Sequence, residues 1–465
     1  MIRIILASSS ALALSACAVG PDYRPPAPLL ATDSHFLMAG PAVTATATGN
    51  DRWWQLYHDP VLDGLIADAL KANTDIRVAV ARLARARASL REVRGDRQPQ
   101  ATAGASATYG RLSAIQRPPG VQREDWTIDT GLDVAYEVDL FGRVSRNIEA
   151  ARGEVGAAQA DVEAVRVAVV ADTTRAYADA ASAAERLTVA ERIVALLDRS
   201  LRVTQGRARV GLTTGLDSAR IAALRNQRQA DVPALVAERQ AALFRLATLT
   251  GRMPAELPPI AGGRATTLRL DQPIPVGDGF ALLVRRPDVR AAERRLAAAT
   301  ARIGVATADL YPRISLGGSI GSTGTGVGSL FGAGPLNWLL GPLLNWSVNP
   351  TRARARIAGA EADSKAALAT FDGTVLIALE ETETALSNYA QALQRRTALQ
   401  AARDQAAVAA RITRAQQREG QIDSLAQLDA ERTFADTEAA LALADAQIAR
   451  QQIDLFRALG GGWTA

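Results

Sequence analysis

The stretch WTIDTGLDVAYEVDL, residues 126–140, decides the fold. Its hydropathy has a period of two. Trp126, Ile128, Thr130, Leu132, Val134, Tyr136 and Val138 fall on one face, and Thr127, Asp129, Gly131, Asp133, Ala135, Glu137 and Asp139 fall on the other. Side chains of a strand alternate between faces, so this segment is expected to be a strand with one apolar and one polar side. It is long enough for a membrane β-strand, which takes about 9–11 residues. A second such run, LNWLLGPLLNWSV at 336–348, places Leu336, Trp338, Leu340, Leu344, Trp346 and Val348 on one face, with Asn337, Asn345 and Ser347 among those opposite. The partner strands, at about 101–112 and 313–322, alternate more weakly and carry much Gly and Ser. Two hairpins are therefore expected. The tract GGSIGSTGTGVGSLFGAG at 317–334 reads as a flexible hairpin loop.

Outward from the strands the period changes to that of a helix. Leu62, Leu65, Ile66, Ala69, Leu70, Ile76, Val80 and Leu83 follow i, i+3, i+4 spacing, predicting one helix that ends at Pro99. Its counterpart runs from Pro287 to Pro312. After each hairpin come Ala-rich helices without strong breakers. The first, from Arg143 to about Gln205, would reach roughly 90 Å at 1.5 Å per residue. It is followed by a helix over 216–249 that Pro233 is expected to kink. Helices over about 351–415 and 425–459 repeat the arrangement. The repetition is explicit: VGLTTGLDSAR (210–220) parallels EGQIDSLAQLD (419–429). One offset of 209 joins Gly211 to Gly420, Leu216 to Leu425, Gly251 to Gly460 and Arg143 to Arg352. The chain reads as two fused copies of one unit.

Composition agrees. Of 465 residues, 48% are hydrophobic but only 5% aromatic, which suits long Ala-, Val- and Leu-rich helices in close contact. The net charge is only +5, without a clustered basic patch, so nucleic acid is not an expected partner. The histidines, His35 and His58, lie far from any Ser or Asp cluster, and the Gly-rich tract lacks phosphate-cradle spacing. Glu380, Glu381 and Glu383 read as a solvated helix face. No catalytic, cofactor-binding or metal site is expected, and the chain does not read as an enzyme. The single cysteine, Cys17, follows a positive Arg3, an apolar run from Ile4 to Leu14, and the small residues Ser15 and Ala16. That is a secretory signal too short to span a bilayer. Leu14-Ser15-Ala16-Cys17 resembles a bacterial lipobox, which implies cleavage before Cys17 and covalent lipid on it. Ala18, in place of an aspartate, implies sorting to the outer membrane.

Four membrane strands cannot close a barrel, since single-chain barrels start at eight, and lipid tolerates no open sheet edge. Several chains must pool their hairpins. Two would give eight strands with a filled interior, and three would give twelve with room for a lumen.

Across essentially its whole length the sequence also resembles a known family. CAVGPDYRPP (17–26), WWQLYHDPVLDGLIADALKAN (53–73), YEVDLFGRVSR (136–146), RRPDVRAAERRLAAATARIGVATADLYPRISLGGSIG (285–321) and FRALGGGW (456–463) look like hallmarks of the outer-membrane factors of tripartite efflux systems, in the lipoprotein, NodT-like branch of the TolC type. The resemblance implies a mainly α fold with β: two structural repeats, a long α-helical barrel, and a transmembrane β-barrel completed by trimerisation. It implies a homotrimer in the outer membrane that extends into the periplasm. It also implies two partners, a periplasmic adaptor protein and an inner-membrane pump of the resistance–nodulation–division type, with the protein as passive exit duct. Other classes compatible with long helical hairpins are a type I protein-secretion outlet and a non-conducting periplasmic coiled-coil scaffold. The duplicated membrane-length hairpins argue against the scaffold.

The expected organisation is a signal peptide (1–16), an anchored segment (17–60), a helix (61–98), a first hairpin (99–141) and a first helical-barrel segment (142–251). An equatorial linker (252–284), a helix (285–311), a second hairpin (312–350), a second helical-barrel segment (351–459) and a tail (460–465) complete it. Asp129, Asp133 and Glu137 are expected to face the barrel lumen. The family's periplasmic constriction maps onto GQIDSLAQLDA, 420–430. Asp429 takes the place of a gate aspartate and Leu425 that of an apolar ring. The sequence departs at Ala426, where certain relatives carry a second acid. It departs again at Gln417 and Ile422, where relatives have a Tyr and an Arg in gate-locking bonds, and at VNPT (348–351), which replaces FDGG. The bland alternative for Asp429 is a solvated residue paired with a nearby Arg.

Overall fold

The computed structural model describes residues 18–26, 36–44, 52–111, 113, 115, 122–277, 279–331, 336–422 and 424–461. In chain order the elements are β1 (Val43–Thr44), α1 (Pro60–Ala72), α2 (Thr74–Gly95), β2 (Gln100–Arg111), β3 (Glu124–Val138), α3 (Arg143–Arg209) and α4 (Gly215–Leu249). Then come β4 (Ile274–Pro275), α5 (Gly279–Arg285), α6 (Pro287–Ala308), β5 (Arg313–Gly324), β6 (Leu336–Asn345), α7 (Pro350–Arg418) and α8 (Ser424–Ala458). No helix among the described residues is long and apolar enough to cross a membrane. The chain divides into two compact units. One comprises Met1–Pro26, Arg82–Gln159 and Ala291–Asp372; the other comprises Ala27–Ala81, Ala160–Arg290 and Gly373–Ala465.

The first unit holds the four-stranded antiparallel sheet, ordered β2-β3-β5-β6, so β2 and β6 are its open edges. The expected loop at 317–334 is corrected here: residues 317–324 belong to β5, and Val327–Leu330 form a 3-10 turn. The glycines that suggested flexibility serve close contact instead. A Cβ on Gly321 would lie 2.9 Å from the Thr130 carbonyl oxygen, and one on Gly317 would lie 2.5 Å from Leu343 Cδ1. Strand β6 stops at Asn345, short of the expected Val348. At the end of the first hairpin, Asp139 accepts from the Val144 and Ser145 amides at 2.9 and 2.7 Å and caps α3. At the end of the second, in the VNPT variation, Asn349 accepts from the Arg352 amide at 3.0 Å, and Pro350 opens α7.

The second unit carries the main core. Trp53, 1% exposed, stacks on Phe456 with ring centroids 4.5 Å apart. Asp59 caps α1 through the Val61 and Leu62 amides and also accepts from the Tyr177 hydroxyl at 2.9 Å and Arg264 at 2.8 Å. The single helix expected up to Pro99 is broken at Asn73. That side chain accepts from the Asp75 and Ile76 amides and donates to the Leu249 carbonyl, which starts a new helix. The expected linker, 252–284, holds most of α5 (Gly279–Arg285) and a parallel pairing of β4 with β1. Glu380 and Glu381 are exposed, as a solvated face requires, but two of the three acids also have specific partners: Glu381 accepts from buried Arg286 at 2.7 Å, and half-buried Glu383 accepts from the Leu37 and Met38 amides.

The duplication survives in detail where helices end. Gly211, Gly251, Gly420 and Gly460 all take positive φ, between 68° and 85°. At each, the residue after the glycine donates its N–H five residues back: Leu212 to Arg207, Arg252 to Ala247, Gln421 to Gln416, Gly461 to Phe456. This αL termination needs a residue without Cβ strain, so glycine recurs at the 209-residue offset.

Candidate functional site: an apolar-faced sheet and a charged helical tip

Directly opposed residues of a sheet share a face, so the register assigns every side. Leu132 faces Ala103 on β2 and Ile320 on β5, and Ile320 faces Trp338 on β6. Tyr136 aligns with Leu316, and Val138 aligns with Ile314 and Leu344. Trp126 meets Tyr109 with ring centroids 5.6 Å apart. This face is apolar from edge to edge, and it is bare: Trp338 and Leu340 are 74% and 77% exposed. A patch of that extent marks a surface made for an apolar phase.

The other face is polar along β3. Asp129 lies opposite Ser106 and Thr323 and accepts from the Thr323 hydroxyl at 2.7 Å. Asp133 lies opposite Thr102 and Ser319, and is exposed. Glu137 faces Ser315 and forms a two-pronged pair with Arg143 at 2.8 and 2.6 Å. Leu339 and Leu343 of β6 also lie on this side, a departure from strict alternation.

Cys17 lies outside the described residues, but the segment after it is held firmly. The Val19 amide donates to the Phe141 carbonyl at 3.2 Å. Buried Arg146 donates to the Val19 and Gly20 carbonyls and pairs with Asp22 at 2.6 Å; the Tyr23 hydroxyl donates to Glu293 at 2.9 Å. Gly20 packs on Gly304 so closely that a Cβ would sit 2.4 Å from the Gly304 Cα. Ala18 rests against Gly142, just past the end of β3. The repeat equivalent of Gly142 is Thr351, so only the first copy offers this seat.

At the other end of the long helices, α7 ends in a turn at 419–422, ahead of α8. Leu425 is 50% exposed, and Asp429, one helical turn on, is exposed on the same side of α8. Among the described residues Asp429 has no ion-pair partner, and its carbonyl accepts from the Thr433 hydroxyl. Gln417 is buried, with its carbonyl receiving Arg207 from α3 at 3.3 Å; Ile422 is half-buried. The tie between α7 and α8 that the sequence did not reveal is Arg414 with Glu431, a bidentate pair whose second bond is 2.9 Å and whose carboxylate is 2% exposed. These two residues stand nearly symmetrically about the turn, as Asp198 and Arg225 do about the other tip at 2.9 Å, and that symmetry is the signal that could have found them. At the first tip Thr214 and Asp217 form a capping box. The Thr213 hydroxyl, then that of Thr214, hold the Asp217 carboxyl below the usual carboxylate range.

These features define an outer-membrane channel subunit of the TolC type. A sequence profile described as outer membrane efflux protein matches residues 65–252 and 281–461, and the chain belongs to that family. The chain is 33% identical over 460 residues to the outer membrane protein OprJ of Pseudomonas aeruginosa, covering 97% of this chain and 94% of that protein. It is 29% identical to nodulation protein T of Rhizobium leguminosarum bv. trifolii, over 97% of this chain and 96% of the relative. The solved outer-membrane channel OprN superposes with a TM-score of 0.87 at 37% identity, covering 96% of this chain and all (100%) of that one.

Proposed function

We propose that three copies of this chain form the outer-membrane exit duct of a tripartite efflux system. The observation that carries the proposal is the open four-stranded sheet with one largely apolar, exposed face and two unpaired edges. Lipid cannot accommodate unpaired backbone groups, and three copies pool twelve strands around a lumen. The apolar face meets lipid, and Asp129, Asp133 and Glu137 face the lumen. The helix pairs α3–α4 and α7–α8 continue the duct into the periplasm, with the 252–284 segment in an equatorial belt. Leu425 and Asp429 line a constriction at the tip, and Gln417 and Ile422 stand where relatives lock it. An adaptor protein and an inner-membrane pump of the resistance–nodulation–division type deliver cargo to that tip. The duct itself is passive, with no catalytic step and no cofactor. In planar bilayers the purified protein is expected to give discrete cation-preferring conductance steps. A protein that binds bilayers without conducting would refute the duct.

Lipid on Cys17 completes the assignment. The seat of residues 18–23 against Gly142, Arg146 and Gly304, beside the end of β3, supports an anchor at the residue that precedes it. Cys17→Ser is expected to lose labelling by radioactive fatty acid while keeping the assembled channel, whose barrel supplies its own membrane area. Undiminished labelling of the Cys17→Ser variant would refute the anchor.

A further inference from the structure

Near the second tip, a cavity of about 370 Å³ opens between α3, α7 and α8. By the volume a water takes in the liquid, it holds roughly ten waters. Its lining is strongly basic. Arg199 comes from α3 and Arg414 and Arg418 from α7, against a single acid, Glu431, which Arg414 already neutralises. Arg199 has no carboxylate partner among the described residues, and Arg418 donates only to the Arg414 carbonyl, at 3.3 Å.

Two nearly buried polar side chains line the same cavity without partners. Thr204 is 2% exposed and Gln417 5%. Helical threonines of this chain routinely return their hydroxyl to the carbonyl four residues back, as Thr173, Thr188, Thr382 and Thr413 do. Thr204 does not, although it sits within a regular helix. The rest of each side chain is buried, so the hydroxyl and the amide keep their only free access on the cavity side, where an occupant can bond them.

We infer that this cavity is a binding site for a multi-oxygen anion of the phosphate or carboxylate type. The Arg199 and Arg418 guanidinium groups supply paired donors suited to such an anion, and Thr204 and Gln417 complete its shell. Because the donors come from two helices and Glu431 of α8 closes the lining, an occupant ties the ends of α3 and α7 beside the tip turn. The site does not depend on the duct reading, since binding and conduction are measured separately.

The probe is inorganic phosphate, titrated calorimetrically into the detergent-solubilised full assembly at constant ionic strength, with chloride as the reference anion. Saturable binding at one site per chain is expected. Arg199→Gln, at an exposed position, should weaken it at least tenfold, and the near-isosteric Thr204→Val by several-fold. Amide exchange over 412–431 should slow when phosphate saturates the wild type and not in Arg199→Gln. Arg192→Gln, outside the cavity, controls for general loss of positive charge and should bind as the wild type does. Absence of saturable binding would overturn the site, as expected if a carboxylate of a neighbouring copy already fills it. Equal binding by wild type and Arg199→Gln, or equal weakening by Arg192→Gln, would overturn it too.

Discussion

Leu132→Arg is expected to abolish insertion and assembly, whereas Asp133→Arg, one residue along the same strand, is expected to insert, assemble and lose cation preference. Leu132 lies mid-strand between Ala103 and Ile320 on the bare apolar face. An arginine facing lipid costs about 2–4 kcal/mol near the bilayer midplane. Three copies bring the cost to about 6–12 kcal/mol, comparable with the whole stability of an ordinary domain. Asp133 lies on the opposite face between Thr102 and Ser319, where an arginine stays hydrated. The charge arithmetic favours a large change in selectivity. Glu137 is already neutralised by Arg143, so the uncompensated acids of β3 on that face are Asp125, Asp129 and Asp133, and Asp133→Arg brings their sum from −3 to −1. Membrane-fraction yield and reversal potentials in asymmetric KCl check both halves. Equal damage from the two substitutions would show the faces to be wrongly assigned.

The second large effect is expected at the tip. Leu425→Ala should raise the conductance of the resting channel several-fold, because an apolar ring also blocks by excluding water. Asp429→Ala should lower cation preference and weaken block by multivalent cations, with little loss of stability. Like charges brought close around an axis repel, so the acids do not hold the tip closed. That task falls to packing and to Arg414 with Glu431. Asp429 makes no ion pair among the described residues, so its substitution leaves no arginine stranded. Unchanged selectivity and unchanged cation block in Asp429→Ala would remove this residue from the constriction.

Much of this was legible in the sequence because hydropathy carries it. The alternation of Trp126 to Val138 gave strand and faces together, since a period of two has one structural meaning. Gly211 and Gly420 revealed the duplication, because an αL helix end is a backbone demand that glycine meets best. What stayed hidden depends on contacts between distant residues. Gly317 and Gly321 have no hydropathy to show, so strand glycines forced by neighbours read as a loop. Asn73 ended a helix through its own side chain in the middle of an unbroken apolar pattern. The specific ties of Glu381 and Glu383 stayed hidden because their partners, Arg286 and the amides of Leu37 and Met38, lie far off in sequence. The basic cavity shows the same limit: Arg199 and Arg418 lie in different copies of the repeat, and Thr204 looks like any helical threonine until its missing bond is noticed.

The central claim is that the four strands of each chain are one third of a closed barrel. Native mass spectrometry of the protein released from membranes in mild detergent tests it most directly. Three chains per particle are expected, persisting when the long helices are trimmed by limited proteolysis. A particle of one or two chains would contradict the account, because four strands leave the edges at β2 and β6 open and eight leave no lumen to conduct.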